Sequence, residues 1–164
     1  METEKGRDRR MVLRFAPAEI LGMAVELERR GIDFYRRLQE SAHQEAKKVF
    51  AFLAEEEEKH LAFFRGLLNT LEVEETLQDS EEETQYLGSI VENGILGKVL
   101  AGQVLPSSLA DALETGVAVE KESVLFYQGF IPLVNPTKRG WLEEVIAEEK
   151  KHFLKLVALR KEMG

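Results

Sequence analysis

Two halves of this sequence repeat one another at a fixed offset of 92 residues. Glu28 maps to Glu120, Phe34-Tyr35 to Phe126-Tyr127, and Glu57-x-x-His60 to Glu149-x-x-His152. Apolar positions follow in register: Leu53, Phe64 and Leu67 map to Val145, Leu156 and Leu159. Each copy carries the three-and-four spacing of a helix rather than the period of two of a strand. The chain must therefore fold as two copies of one helical unit, each unit a hairpin.

The helices are read from their apolar stripes and end signals. Ile20, Ala24, Leu27, Gly31, Phe34 and Leu38 predict a helix from Pro17 to about Ser41, with proline in its first turn. A second is predicted from Gln44 to about Leu71. Residues 72–83 hold seven acidic groups and no basic one, which predicts a solvated connector. Ser80 and Glu83 have the spacing of a capping box and could start a short helix over Glu81–Ile95. Gly94, Gly97 and Gly102 then interrupt any longer helix. A third long helix is predicted from Ser107 or Ser108 to Phe130, and a fourth from just after Thr137 to about Glu162. The fold class is all-α: a four-helix bundle of two hairpins joined by a long crossover. Residues 1–15 are expected as a flexible arm and 16–164 as one domain.

The repeat places the acidic residues. Glu28 and Glu57 lie 29 residues apart, as do Glu120 and Glu149, and the midpoint of each pair falls in a hairpin turn. Residues equidistant from an antiparallel turn share one height, about 22 Å from it at 1.5 Å per residue. On the fourth helix Val145, Glu149, His152, Leu156 and Leu159 form one stripe, and the second helix repeats those steps. Four glutamates and two histidines thus occupy inward positions in one layer. No lysine or arginine lies on these stripes to pair with them, and unpaired buried carboxylates are prohibitively costly. Two divalent cations would balance four carboxylates, and oxygen-rich ligands with imidazole and no sulfur suit iron or manganese.

Neighbouring residues are less determined. Glu56 and Glu148 are also in register, four before each histidine, and spacing alone leaves them open. Glu26 and Glu122 are expected to be solvated, and His43 is expected at the surface of the first turn. Tyr35 and Tyr127 lie two turns after Glu28 and Glu120 on the same face. They read equally as core aromatics and as hydrogen-bond donors to a ligand carboxylate of the opposite hairpin, a supporting role in catalysis.

The segments AVELERRGIDFY, AEEEEKH, AVEKESVLFY and AEEKKH resemble the rubrerythrin-like branch of the ferritin-like di-iron superfamily, over residues 16–162. That resemblance implies a ferritin-like fold and two iron ions, with manganese or a mixed pair also possible. The implied ligands are Glu28, Glu57, His60, Glu120, Glu149 and His152, in preference to Glu56 and Glu148. It implies a di-iron oxidoreductase that reduces hydrogen peroxide or dioxygen. The alternatives are a ferroxidase or iron-binding protein without sustained turnover, and an oxidase of an organic substrate such as a quinone. The last would need an apolar channel, for which Gly94–Leu105 is the stretch available. Full rubrerythrins append a four-cysteine iron domain that feeds electrons to the site. This chain has no cysteine, so an external electron-donor protein is expected. Rubrerythrins also carry an extra glutamate three residues after the third-helix ligand, where this chain has Ser123. Bacterioferritins place a haem-binding methionine where this chain has Glu58, so haem is not expected.

Composition narrows the partners. A net charge of −8 makes nucleic acid an improbable ligand, since a polyanion needs a cationic surface. No apolar run is long enough to span a membrane. The N-terminal METEKGRDRRMVLR carries five basic and three acidic groups without the apolar core of a signal peptide, so a cytoplasmic location is expected. A homodimer is expected from the apolar segment Ile95–Leu105, read as exposed on the crossover.

Overall fold

The computed structural model describes residues 17–69 and 81–163. The expected N-terminal arm and most of the acidic connector lie outside the described residues. Six helices follow one another among the described residues: α1 (Pro17–Ser41), α2 (Gln44–Asn69), α3 (Glu81–Glu92), α4 (Ile95–Leu100), α5 (Leu109–Phe130) and α6 (Pro136–Met163). The four long ones are the bundle. α1 packs along α2 and α5 along α6, and the short α3 and α4 lie against α1 and α5.

The helix ends follow local chemistry. Ser108 is the N-cap of α5, with extended φ and ψ of −154° and 167°, and its hydroxyl accepts from Asp111 N at 3.1 Å. α6 begins at Pro136, two residues before the expected start just after Thr137. Asn135 ends the turn there, its Oδ1 accepting from Thr137 N at 3.1 Å, and proline suits the first helical position. The intervening turn is buried through Leu133 and Val134 and closed by Val134 N donating to Phe130 O at 3.1 Å.

The crossover differs from expectation in two ways. α3 stops at Glu92 and α4 restarts at Ile95 because Glu122 of α5 caps the break. Its carboxylate accepts from Ile95 N at 2.9 Å and from Leu96 N at 3.4 Å. Glu122 is half-buried, not solvated. A Cβ on Gly94 would lie 2.0 Å from Glu122 Oε1, so only glycine leaves room for that cap. The segment Ile95–Leu105 is also mostly packed: Leu96 is fully buried, Ile95, Val99 and Leu100 rest on the core, and Leu105 alone of the five leucine, isoleucine and valine positions named here stands out. After α4 the chain turns at Gly102, whose φ of +70° is a left-handed conformation that favours glycine.

The core is divided. One apolar cluster gathers Ile20, Leu21, Ala24, Phe64, Phe126 and Leu142 with their neighbours. The other gathers Tyr35, Phe50, Leu53, Leu113, Leu156 and Leu159. Along every long helix the glutamates of the repeat fall between the two clusters. The bundle is thus a sandwich of apolar, polar and apolar layers along its axis, and the polar layer is where the site forms.

Candidate metal centre

Glu28, Glu57, His60, Glu120, Glu149 and His152 are all buried, none more than 4 % exposed. The structure brings all six together. Glu28, Glu57, His60 and Glu149 present ligand atoms within 4.8 Å of one another, and so do Glu57, Glu120, Glu149 and His152. Glu57 and Glu149 belong to both groups.

The sharing is resolved atom by atom. Glu57 turns Oε2 to His60 Nδ1 at 3.7 Å and Oε1 to His152 Nδ1 at 3.4 Å. Glu149 turns Oε1 to His60 Nδ1 at 2.8 Å and Oε2 to His152 Nδ1 at 3.7 Å. Glu28 and Glu120 stand at the two ends, Glu28 Oε1 lying 3.8 Å from His60 Nδ1 and Glu120 Oε1 3.8 Å from His152 Nδ1. The near two-fold pattern is the sequence repeat expressed in space. Which glutamates are shared was not legible from spacing. In each copy the shared residue is the acid of Glu-x-x-His, one turn from its own histidine.

The tyrosines cross between hairpins. Tyr127 donates to Glu28 Oε1 at 2.6 Å, and Tyr35 donates to Glu120 Oε1. Each ring is also core: Tyr127 lies 4.8 Å from the Phe64 ring and Tyr35 stacks 6.4 Å from Phe50. Packing fixes each phenol and aims it at a single carboxyl group.

The surrounding acids break the symmetry. Glu148 Oε2 meets His60 Nε2 at 2.6 Å, so Glu148 orients that ring from behind. Its counterpart Glu56 does not reach His152; it pairs with Lys59 at 2.7 Å and remains near His60 Nε2. His152 instead meets the edge of Phe52, 6.4 Å away. Glu26 pairs with Arg30 at the surface at 3.0 Å, and His43 is exposed; neither reaches the layer.

Electrostatics follow from burial and crowding. Burial, and then the charges of Glu57 and Glu149, push the Glu28 carboxyl well above the usual range. Burial, Glu149 and Glu57 do the same to Glu120. Burial also acts to raise Glu57, but the Glu28 carboxyl and both imidazoles outweigh it and hold Glu57 below its ordinary value. Burial and the Glu57 charge act to raise Glu149, yet its contacts with Glu120, His152 and His60 leave it lowered. Burial opposes a charged imidazole, but the adjoining Glu149 and Glu57 carboxylates carry His60 up to about 11 and His152 to about 9. Both phenols are raised, by burial and then by the glutamate that each one faces. Without metal, burial and crowding thus favour two carboxylates, two imidazolium ions and two neutral carboxyl groups in the layer.

That arrangement leaves bonding capacity unused. Glu28 Oε2, Glu120 Oε2 and both ring nitrogens of His152 are buried without a hydrogen bond. Orphaned buried polar atoms are rare and costly, several kcal/mol where a charge is involved. Four such atoms, all on the six clustered residues, fit a metal-ligating donor set of carboxylate oxygen and imidazole nitrogen.

The rubrerythrin family profile matches residues 19–160. The chain belongs to the rubrerythrin family. A solved structure from Thermotoga maritima, described as a ferritin-like diiron-carboxylate protein, matches with a TM-score of 0.67 and 27% identity over 92% of this chain and 98% of that one. Comparison with curated proteins gives no match. The architecture of this rubrerythrin-family chain is accordingly ferritin-like. No described helix is long and apolar enough to cross a membrane.

One feature of the site had no direct reading in the sequence. A cleft of about 670 Å³ opens between α1 and α5 and reaches Glu28, Glu57, Glu120 and Glu149. The predicted α1 stripe runs unbroken from Ile20 to Leu38, but only its first half is fully buried, while Phe34 and Leu38 pack against the second cluster from its edge. Gly31, Phe34 and Leu38 are half-buried because they line this cleft. The available signal was in the repeat: Gly31 maps to Ser123, so both copies place a small residue beside the acidic layer.

Proposed function

We propose that this chain is a di-iron oxidoreductase that reduces hydrogen peroxide or dioxygen with electrons from an external donor protein. The observation that carries the reading is the pair of His-carboxylate groups sharing Glu57 and Glu149. In this reading Glu28 and His60 serve one ion, Glu120 and His152 the other, and Glu57 and Glu149 both. Two ferrous ions held there would supply the two electrons that turn one peroxide and two protons into two waters. The protein's own residues orient and insulate. Tyr127 and Tyr35 each donate to one oxygen of an end glutamate and leave the other oxygen, buried, without a hydrogen-bond partner. Glu148 holds His60 through Nε2 and so leaves Nδ1 facing the shared carboxylates. The apolar clusters cover the layer on either side along the bundle axis, and the cleft between α1 and α5 is an approach to it.

The test is anaerobic loading with Fe(II), followed by separate challenge with peroxide and dioxygen in a stopped-flow spectrometer. The reading expects two irons per chain and rapid consumption of about one peroxide per site, followed by arrest. A rubredoxin-type donor with its reductase should restore turnover. Oxidation by dioxygen alone, with added iron accumulating as mineral, would establish a ferroxidase instead. One iron per chain, or none, would remove the dinuclear reading.

A further inference from the structure

We infer that the cleft between α1 and α5 is a binding site for an elongated amphiphile, an apolar chain ending in a single anionic group. This goes beyond peroxide or dioxygen reduction, since those small molecules need no cleft of about 670 Å³. Such a volume is that of an organic ligand site.

Its shape and polarity select the ligand class. On α1 the lining runs from Glu28 to Ser41, and on α5 from Tyr127 back to Leu109, so the cleft extends from the glutamate layer to one end of the bundle. The stretch of α1 is about 20 Å long and that of α5 about 27 Å, at 1.5 Å per helical residue. The walls are apolar: Phe34 and Leu38 from α1, Val119 from α5, and Val104 and Leu105 from the loop after α4. The inner end is open because Gly31 and Ser123 are small. A Cβ on Gly31 would touch the Glu57 carboxyl at 3.6 Å, so glycine there leaves Glu57 accessible from the cleft. Charge is arranged along the length. Four glutamates lie at the inner end, whereas Arg30, Asp33 and Arg37 lie farther out on the same wall. Arg30 is paired with Glu26; Arg37 is exposed and enters none of the ion pairs seen among the described residues. Arg37, exposed at the outer end, attracts an anionic head and leaves it in water, where a charge costs least, so the apolar tail points inward. The loop carrying Leu105, otherwise an 81 % exposed leucine, gains a role as the outer wall.

The experiment uses the full chain without metal, so its outcome is independent of any redox chemistry. Saturated fatty acids from octanoate to hexadecanoate are titrated calorimetrically below their micelle concentrations. Uptake of one molecule per chain is expected, tightening by about fourfold per methylene until the cleft is filled. Thr115→Trp, which places an indole in the lining, should weaken dodecanoate at least tenfold with far-UV circular dichroism unchanged. Arg37→Glu should weaken dodecanoate several-fold but leave the neutral dodecanol unaffected. Gly31→Leu, at the inner end, should abolish the gain from the longest chains while retaining the shorter ones. No uptake by the full chain, as when a second copy covers the cleft, overturns the inference. So does affinity independent of chain length, or equal dodecanoate binding by the wild type and Arg37→Glu.

Discussion

Metal loading should expel close to four protons per chain. The number follows from the charge state of the empty layer. His60 and His152, held at about 11 and about 9, are imidazolium at pH 7. Glu28 and Glu120, raised by burial and by their acidic neighbours, keep their protons. Glu57 and Glu149 are already ionised. Two divalent ions need four carboxylates and two neutral imidazoles, so two protons leave nitrogen and two leave oxygen. The exchange is charge-neutral, which matters in a layer enclosed by apolar clusters. Groups with ordinary values would release only about half a proton in total, from two partly protonated histidines of pKa near 6.5. The two cases differ roughly eightfold. The assay is calorimetric titration of metal-free protein with Zn(II), and with Fe(II) under anaerobic conditions, in buffers of different ionisation enthalpy. The slope of apparent enthalpy against buffer enthalpy gives the protons released. By linkage, the overall loading constant should rise by about four decades per pH unit near neutrality. Release of one proton or fewer would refute the protonation pattern and the argument that crowding sets it.

Other outcomes follow from the same geometry. Stability of the metal-free protein should fall as pH rises above 7. His60 and His152 have folded values above the unfolded 6.5, so their contribution is complete below 6.5 and is lost as pH passes through about 9 and about 11. The slope is about 1.4 kcal/mol per pH unit for each group that stays protonated only in the folded state, the two imidazoles and the raised Glu28 and Glu120 carboxyls alike, and urea titrations between pH 7 and 9 would measure the sum. Glu57→Gln should abolish pairwise metal loading, while Glu26→Gln, altering a surface ion pair, should leave it intact by elemental analysis. Tyr127→Phe removes the donor to Glu28 and should lower metal affinity about 10- to 100-fold without changing helicity. Gly94→Ala should cost about 1–3 kcal/mol by overlap with Glu122, and Glu122→Ala about 0.5–2 kcal/mol through loss of the α4 cap. The double variant should cost less than the two together, because the overlap disappears with the carboxylate; additive losses in thermal melts would contradict that contact.

Much of this molecule is determined by local sequence. The 92-residue repeat, the three-and-four stripes and the equal distances of the glutamates from their turns specify two hairpins and one acidic layer. That part is legible because height along a helix depends only on residue count, and facing only on count modulo the helical turn. Glu28, Glu57, His60, Glu120, Glu149 and His152 could be placed together on those grounds alone. The tyrosine donors were half legible, since spacing put Tyr35 and Tyr127 on the right faces but not against particular oxygen atoms.

Tertiary structure decided the rest, wherever the answer depends on how far apart two helices stand. Spacing cannot distinguish shared Glu57 and Glu149 from terminal Glu28 and Glu120, because sharing is a relation across hairpins. Nor could it foresee that Glu148 reaches His60 while its counterpart Glu56 turns to Lys59. Glu122 seemed solvated from its own helix, yet the start of α4 arrives to be capped by it. The cleft is the clearest case. An apolar stripe states that a face avoids water, not what covers it; Gly31, Phe34 and Leu38 satisfy the stripe while facing a gap. Close packing along α1–α2 and α5–α6, with α4 and its loop set against α1 and α5, holds that gap open beside the glutamates.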